Sequence, residues 1–158
     1  MLSDVILEIK GIEGEAQDKG FEKKINVSSV STSMSNASSM GRGGGGGKGQ
    51  ASFQDFNFTK EVDAASHALQ SACVKGDHLD EVKIHFRKSG GDKREYLTIT
   101  LKEAFITHFS YSSSGDGSVH EQFAMAYTKI EYVYKQQDEK GKVSGGKIFN
   151  WDIKKGDV

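Results

Sequence analysis

Apolar residues recur at every second position over most of the chain, the period of a half-buried strand. Val5, Leu7 and Ile9 share one face. Ile25 and Val27 open a second strand whose face continues through Ser29, Ser31 and Ser33. Phe56 and Phe58 mark a third strand, Val82, Ile84 and Phe86 a fourth, and Leu97, Ile99 and Leu101 a fifth. Phe105, Thr107, Phe109 and Tyr111 follow almost at once, which requires a bend near 102–104. Phe123, Met125 and Tyr127 begin a long strand reaching about Tyr134, and Phe149, Trp151 and Ile153 close the sheet. The spacing changes once. Over 63–74 the sequence DAASHALQSACV places Ala65, Ala68, Leu69, Ala72 and Cys73 on one helical face. Asp63 or Ser66 can cap its start, and Gly76 stands where a C-terminal glycine belongs.

The pattern predicts a mainly β chain: a small β-barrel of about eight or nine mostly antiparallel strands with one short flanking helix. Closure is favoured over an open sheet because it removes sticky edges. At 158 residues the chain fits one domain with a real core, spanning 1–158. Punctuation is by glycine, with 19 glycines and no proline, so backbone donors stay free for strand pairing. Turns are expected at Gly90-Gly91-Asp92, at Gly115-Asp116-Gly117 and over 138–141. Residues 33–50, SMSNASSMGRGGGGGKGQ, form a loop with almost nothing to bury, and long loops inside a domain are usually functional or disordered.

Charge narrows the function. Lys and Arg number 21 and Asp and Glu 22, a formal net charge of −1. Residues 1–60 hold seven of each sign and the remainder fourteen basic and fifteen acidic, so there is no charged tail. Neither nucleic acid nor membrane insertion is implied. Cys73 is the single cysteine and reads as a small buried residue. The first residues lack a basic stretch before a long apolar run, so synthesis in the cytoplasm without a cleavable secretory signal is expected.

The glycine run invites comparison with a phosphate-binding loop, G-x-x-x-x-G-K-[ST] between strand and helix. Gly47-Lys48 supplies the G-K. The first glycine position holds Arg42, the hydroxyl position holds Gly49, and a strand follows instead of a helix. The phosphate reading fails on all three. The histidines, His67, His78, His85, His108 and His120, have no ligand spacing, and no G-x-S-x-G elbow exists. No catalytic residue, metal or cofactor is expected. Met34, Met40 and Arg42 flank the glycines and give the segment apolar and cationic contacts, so an arm that orders against a neighbour suits it better than a linker.

Read together, the segments resemble the haemolysin-coregulated protein (Hcp) family of bacterial type VI secretion, over about residues 5–153. GIEGEAQDKGFEKKINVSSVS is similar to the family's GES-x-D stretch and the strand after it. SMSNASSMGRGGGGGKG resembles its long glycine-rich loop. FQDFNFTKEVDAASHALQSACVKG resembles its F-x-F-T-K-x-x-D-x-x-S-P-x-L helix entry, with Lys60, Asp63, Ser66 and Leu69 in place. EYLTITLKEAFITHFS, KIEYVYKQQDEKGKVSGG and FNWDI match later strands. Ala16 stands where the family has serine, Phe21 near a common histidine, His67 at the usual proline, and Val30 and Thr32 in a stretch often holding tryptophan.

The resemblance implies a six-membered ring of identical subunits, stacked into an inner tube that a contractile sheath drives out with a spike at its tip. Partners would be further copies of the chain, spike, sheath and baseplate proteins, and effector proteins carried and chaperoned in the lumen. The protein would be secreted, outside the cell or into a target cell. Ring stacking and subunit contact are expected of Met40, Gly41, Arg42, Gly43, Gly44, Gly45, Gly46, Gly47 and Lys48. The serine face, Ser29, Ser31 and Ser33, is expected near the lumen. The rival from another class is a carbohydrate-binding or adhesive β-sandwich.

Overall fold

The computed structural model describes residues 4–37, 50–88, 94–137 and 143–156. Over these the chain forms eleven strands and one helix: β1 (Val5–Ile9), β2 (Ile25–Val27), β3 (Ser29–Ser31), β4 (Met34–Ala37), β5 (Gln50–Phe53), β6 (Phe56–Glu61), α1 (Ser66–Lys75), β7 (His78–Arg87), β8 (Glu95–Ser113), β9 (Val119–Ala126), β10 (Lys129–Gln137) and β11 (Val143–Asp152). Nine strands form one sheet. Its main path runs β2-β1-β7-β8-β9-β6-β3, with β10 and β11 branching from β8, and every pairing is antiparallel.

The two ends of that path are neighbours in sequence. The expected single strand from Ile25 to Ser33 is broken at Ser28, whose amide donates to the Thr59 carbonyl at 2.8 Å. Before the break β2 pairs β1, and after it β3 pairs β6. One short segment thus joins both ends of the path, and the sheet curls back to where it began.

The bend expected near 102–104 lies in β8 at Glu103, which takes a left-handed φ of 49° without being glycine. Before it, β8 pairs β10; beyond it, β9. The long strand expected from Phe123 to Tyr134 is accordingly two strands. Between them Thr128 donates its amide to the Lys102 carbonyl and its hydroxyl to the Glu103 carbonyl, both at 3.1 Å. The chain turns there where β8 turns, and the inward parity shifts across the break, from Phe123, Met125 and Tyr127 to Ile130 and Tyr132.

Inward faces meet in one core. Val30, Phe58, Phe123 and Phe109 stand opposite one another across β3, β6, β9 and β8. Phe58 stacks on Phe123 with centroids 4.9 Å apart, and Phe109 on Phe123 at 6.2 Å. Leu69 and Ala72 of α1 close over this core. The helix begins later than expected, at Ser66, with Ala65 at the N-cap and no side-chain capping bond. Asp63 instead accepts from the Ala65 amide at 2.9 Å. Gly76 ends it at φ 68°, its amide bonding the Ala72 and Cys73 carbonyls. Cys73 packs partly buried against the core. The turn at Gly115-Asp116-Gly117 forms as expected, whereas those at Gly90-Gly91-Asp92 and 138–141 lie outside the described residues.

Candidate assembly surface

The stretch expected to be a loop over 33–50 is, at its root, a paired ribbon. β4 and β5 match Met34 to Phe53, Ser35 to Ser52, Asn36 to Ala51 and Ala37 to Gln50. Met40, Gly41, Arg42, Gly43, Gly44, Gly45, Gly46, Gly47 and Lys48 lie outside the described residues. Among the described residues, the ribbon is fastened at its base. Gln54 donates its amide to the Ser33 carbonyl at 3.0 Å, and the Thr32 hydroxyl reaches the Gln54 carbonyl at 3.1 Å. Phe53 stacks on Trp151 at 6.2 Å and meets Tyr127 edge-on at 6.4 Å. Burial pushes the Tyr127 phenol up to about 12, so it stays neutral.

Beyond this anchor the ribbon is largely exposed. All four residues of β4 and three of the four in β5 are exposed. A lone two-stranded ribbon is marginal in water. A cavity of about 590 Å³ lies between the ribbon and the C-terminal segment, lined by Asn36, Gln50, Ala51, Phe53, Trp151 and Ile153 among others. β11 presents a second open surface: among the described residues it pairs only β10, and Ile148 on it is 64% exposed. Long apolar edges of this kind are normally covered.

The expected serine face is partly assembled. Ser29 and Ser31 are exposed on β3, and the Ser29 hydroxyl bonds that of Thr59 at 2.6 Å. Ser33 is also exposed but lies beyond the strand, because β3 ends at Ser31. Register extends the face across the sheet. Ser29 stands opposite Thr59, Thr59 opposite Gln122, and Gln122 opposite Ser110. One step along, Ser31, Asn57, Ala124 and His108 follow in the same way. Directly opposed residues share a face, so these rows make a polar wall that joins small polar groups with Ala124 and His108, and the next row along, Glu61, His120 and Ser112, carries an acidic side chain. Elsewhere the outer face differs: Glu81, Lys102, Lys129 and Asp152 form one charged row across β7, β8, β10 and β11.

Beneath the polar wall lies a buried charge network. Lys60, 1% exposed, faces Glu121, 2% exposed, directly across the ladder. Its ammonium lies 2.6 Å from Glu121 Oε1, 2.8 Å from Asp63 Oδ1 and 3.2 Å from Ser66 Oγ. Ser66 donates to Glu121 at 2.7 Å. The network pins the entry of α1 to β6 and β9. Lys60, Asp63 and Ser66 stood out in the sequence by their resemblance; Glu121 did not. Strand parity gives both: Phe56, Phe58 and Lys60 alternate inward, as do Glu121, Phe123 and Met125.

Among the described residues, no three His, Cys, Asp or Glu side chains gather in a metal-holding group. No helix there is long and apolar enough to cross a membrane.

Comparison with known proteins agrees with this architecture. The family described as "Type VI secretion system effector, Hcp" matches residues 6–134. "Protein hcp1" of Pseudomonas aeruginosa is 38% identical over 157 residues, 98% of this chain and 97% of that protein. The crystal structure of Hcp1 from Salmonella typhimurium superposes with a TM-score of 0.81 at 26% identity, covering 99% of both chains. A structure described as that of a type six secretion system protein reaches 0.89 at 24% identity over 98% of each, a likeness of fold. The chain belongs to the Hcp family of type VI secretion proteins.

Proposed function

We propose that this chain is the inner-tube subunit of a type VI secretion apparatus. Copies close head-to-tail into a six-membered ring, rings stack into a tube, and the tube is expelled with its spike. A head-to-tail contact leaves one patch free on each copy, so a ring closes sideways while axial contacts continue. The observation that carries this reading is the β4–β5 ribbon, anchored at Phe53 and otherwise largely exposed. Its covering comes from another copy, through the ribbon and the arm of residues 40–48.

The polar wall holding Ser29 and Ser31 suits a solvated lumen that carries folded effectors without gripping them. The charged row on β7, β8, β10 and β11 suits the outside, toward the sheath. The protein acts by assembly, with spike, sheath and baseplate as partners, and is secreted through the apparatus it helps to build. Family membership gives the adhesive alternative no support, and the one tryptophan is stacked against Phe53. Native mass of the purified protein tests the reading: a six-copy mass supports it, and a strict monomer at high concentration overturns it.

A further inference from the structure

Residues 13–24 form a strap folded back on itself before β2. The Gly14 and Ala16 amides donate to the Lys23 and Lys24 carbonyls at 2.7 and 2.9 Å, and the Lys23 amide returns to the Ala16 carbonyl at 2.8 Å. Ala16 is its buried apolar anchor. Side chains of β7 hold the rest. The Arg87 guanidinium donates to Asp18, and the Phe21 ring lies under Arg87 at 5.1 Å and edge-on to His85 at 5.1 Å.

His85 sits at the centre of this contact and is 8% exposed. Its Nδ1 lies 2.7 Å from Glu95 Oε1 and its Nε2 3.0 Å from Glu8 Oε2. Ionised carboxylates only accept, and a neutral imidazole has a single N–H. Both contacts are satisfied together only by the imidazolium.

We infer that His85 is a proton-operated latch: its charged ring ties β1, β8 and the strap together, and losing the proton releases the strap. The charged groups facing it are Glu8 from β1, Glu95 from β8, Asp18 and Lys24 from the strap, and Arg87 on β7 itself. Lys135 of β10 acts on Glu95 from further away. The Thr98 hydroxyl also donates to Glu95, so that carboxylate keeps a partner when the ring is neutral. Glu8 is the more exposed of the two, and Lys24 of the strap lies 3.9 Å from it. A neutral ring turns a lone pair toward one carboxylate and is repelled from it, and the ring that shifts is the one Phe21 of the strap packs against, so the strap loses its hold there.

Burial opposes charge on the ring, but the bonds to Glu95 and Glu8 outweigh it and hold His85 above its ordinary value. A raised folded value fixes the sign. The contribution is fully present below the unfolded value of about 6.5, and is lost as pH rises through the folded value. The latch is therefore closed in acid and opens toward alkaline pH. This inference is independent of the tube reading.

The test follows the His85 ring by NMR titration in the full-length protein, together with hydrogen-exchange protection of the Gly14, Ala16 and Lys23 amides. The latch requires His85 to titrate above about 6.5. Strap protection should fall several-fold through the same midpoint while the β1–β7 ladder stays protected. In His85→Gln the strap should show the high-pH level throughout, with no step. Protection that stays flat while His85 titrates, or a His85 value at or below the ordinary one, overturns the latch. Should His85→Gln fail to fold, the wild-type titration decides alone.

Discussion

Lys60 and Glu121 face each other across the β6–β9 ladder, 2.6 Å apart and both almost wholly buried. Removing one member strands the other charge, at a cost of about 3–5 kcal/mol. Lys60→Met is expected to destabilise by about that amount. Replacing Glu121 by Leu in the same chain should recover much of the loss, since a packed apolar pair avoids desolvation. Urea unfolding of the two single variants and the double variant measures the coupling. Additive effects would show that the pair is not a unit.

Phe123 stands in the middle of the aromatic row between Phe58 and Phe109. Phe123→Ala is expected to cost about 3–5 kcal/mol through lost burial and the cavity left behind. The denaturant midpoint should fall at an unchanged slope, because the same surface is exposed on unfolding. A loss under 1 kcal/mol, far below that estimate, would mean that the row collapses around the gap.

Gly14 has no room for a side chain. An added Cβ would lie 2.6 Å from the Lys24 carbonyl oxygen and 3.0 Å from the Ile25 Cα. Gly14→Ala must push the strap off β2, at roughly 1–3 kcal/mol. Hydrogen exchange should show faster exchange at the Ala16 and Lys23 amides, with the β6–β9 ladder unaffected. Unchanged strap protection would contradict this.

The arm of residues 40–48 is proposed to act between copies. Deleting Gly43, Gly44, Gly45, Gly46 and Gly47 is expected to leave the thermal midpoint of the isolated subunit within a few degrees and to weaken ring stacking. Thermal melts and electron microscopy separate the two effects. Tubes that form as before would remove the arm from the stacking contact.

Ser31 is exposed on the polar wall, opposite Asn57. Ser31→Trp should fold normally, since surface changes usually stay within about 0.5 kcal/mol, and should narrow the proposed lumen. Protection of a co-expressed effector from proteolysis is the readout. Undiminished protection would move the cargo surface elsewhere.

Alternation determined the mainly β class and the strands holding Phe56, Phe58, Val82, Ile84 and Leu101, and the one change to helical spacing determined the helix before Gly76. Those patterns are local, because a half-buried strand or helix writes its period into its own residues. Parity also held Lys60 and Glu121, although their pairing joins residues far apart in the chain. Only the tertiary structure decided that Ser28 breaks one apparent strand into two, that the polypeptide turns at Thr128 because β8 turns at Glu103, and that 33–50 begins and ends as a ribbon. It alone brought Glu8, His85 and Glu95 onto one ring. Such features depend on which strands become neighbours, and neighbours are chosen as the whole sheet assembles, a long-range event that no short window of sequence records.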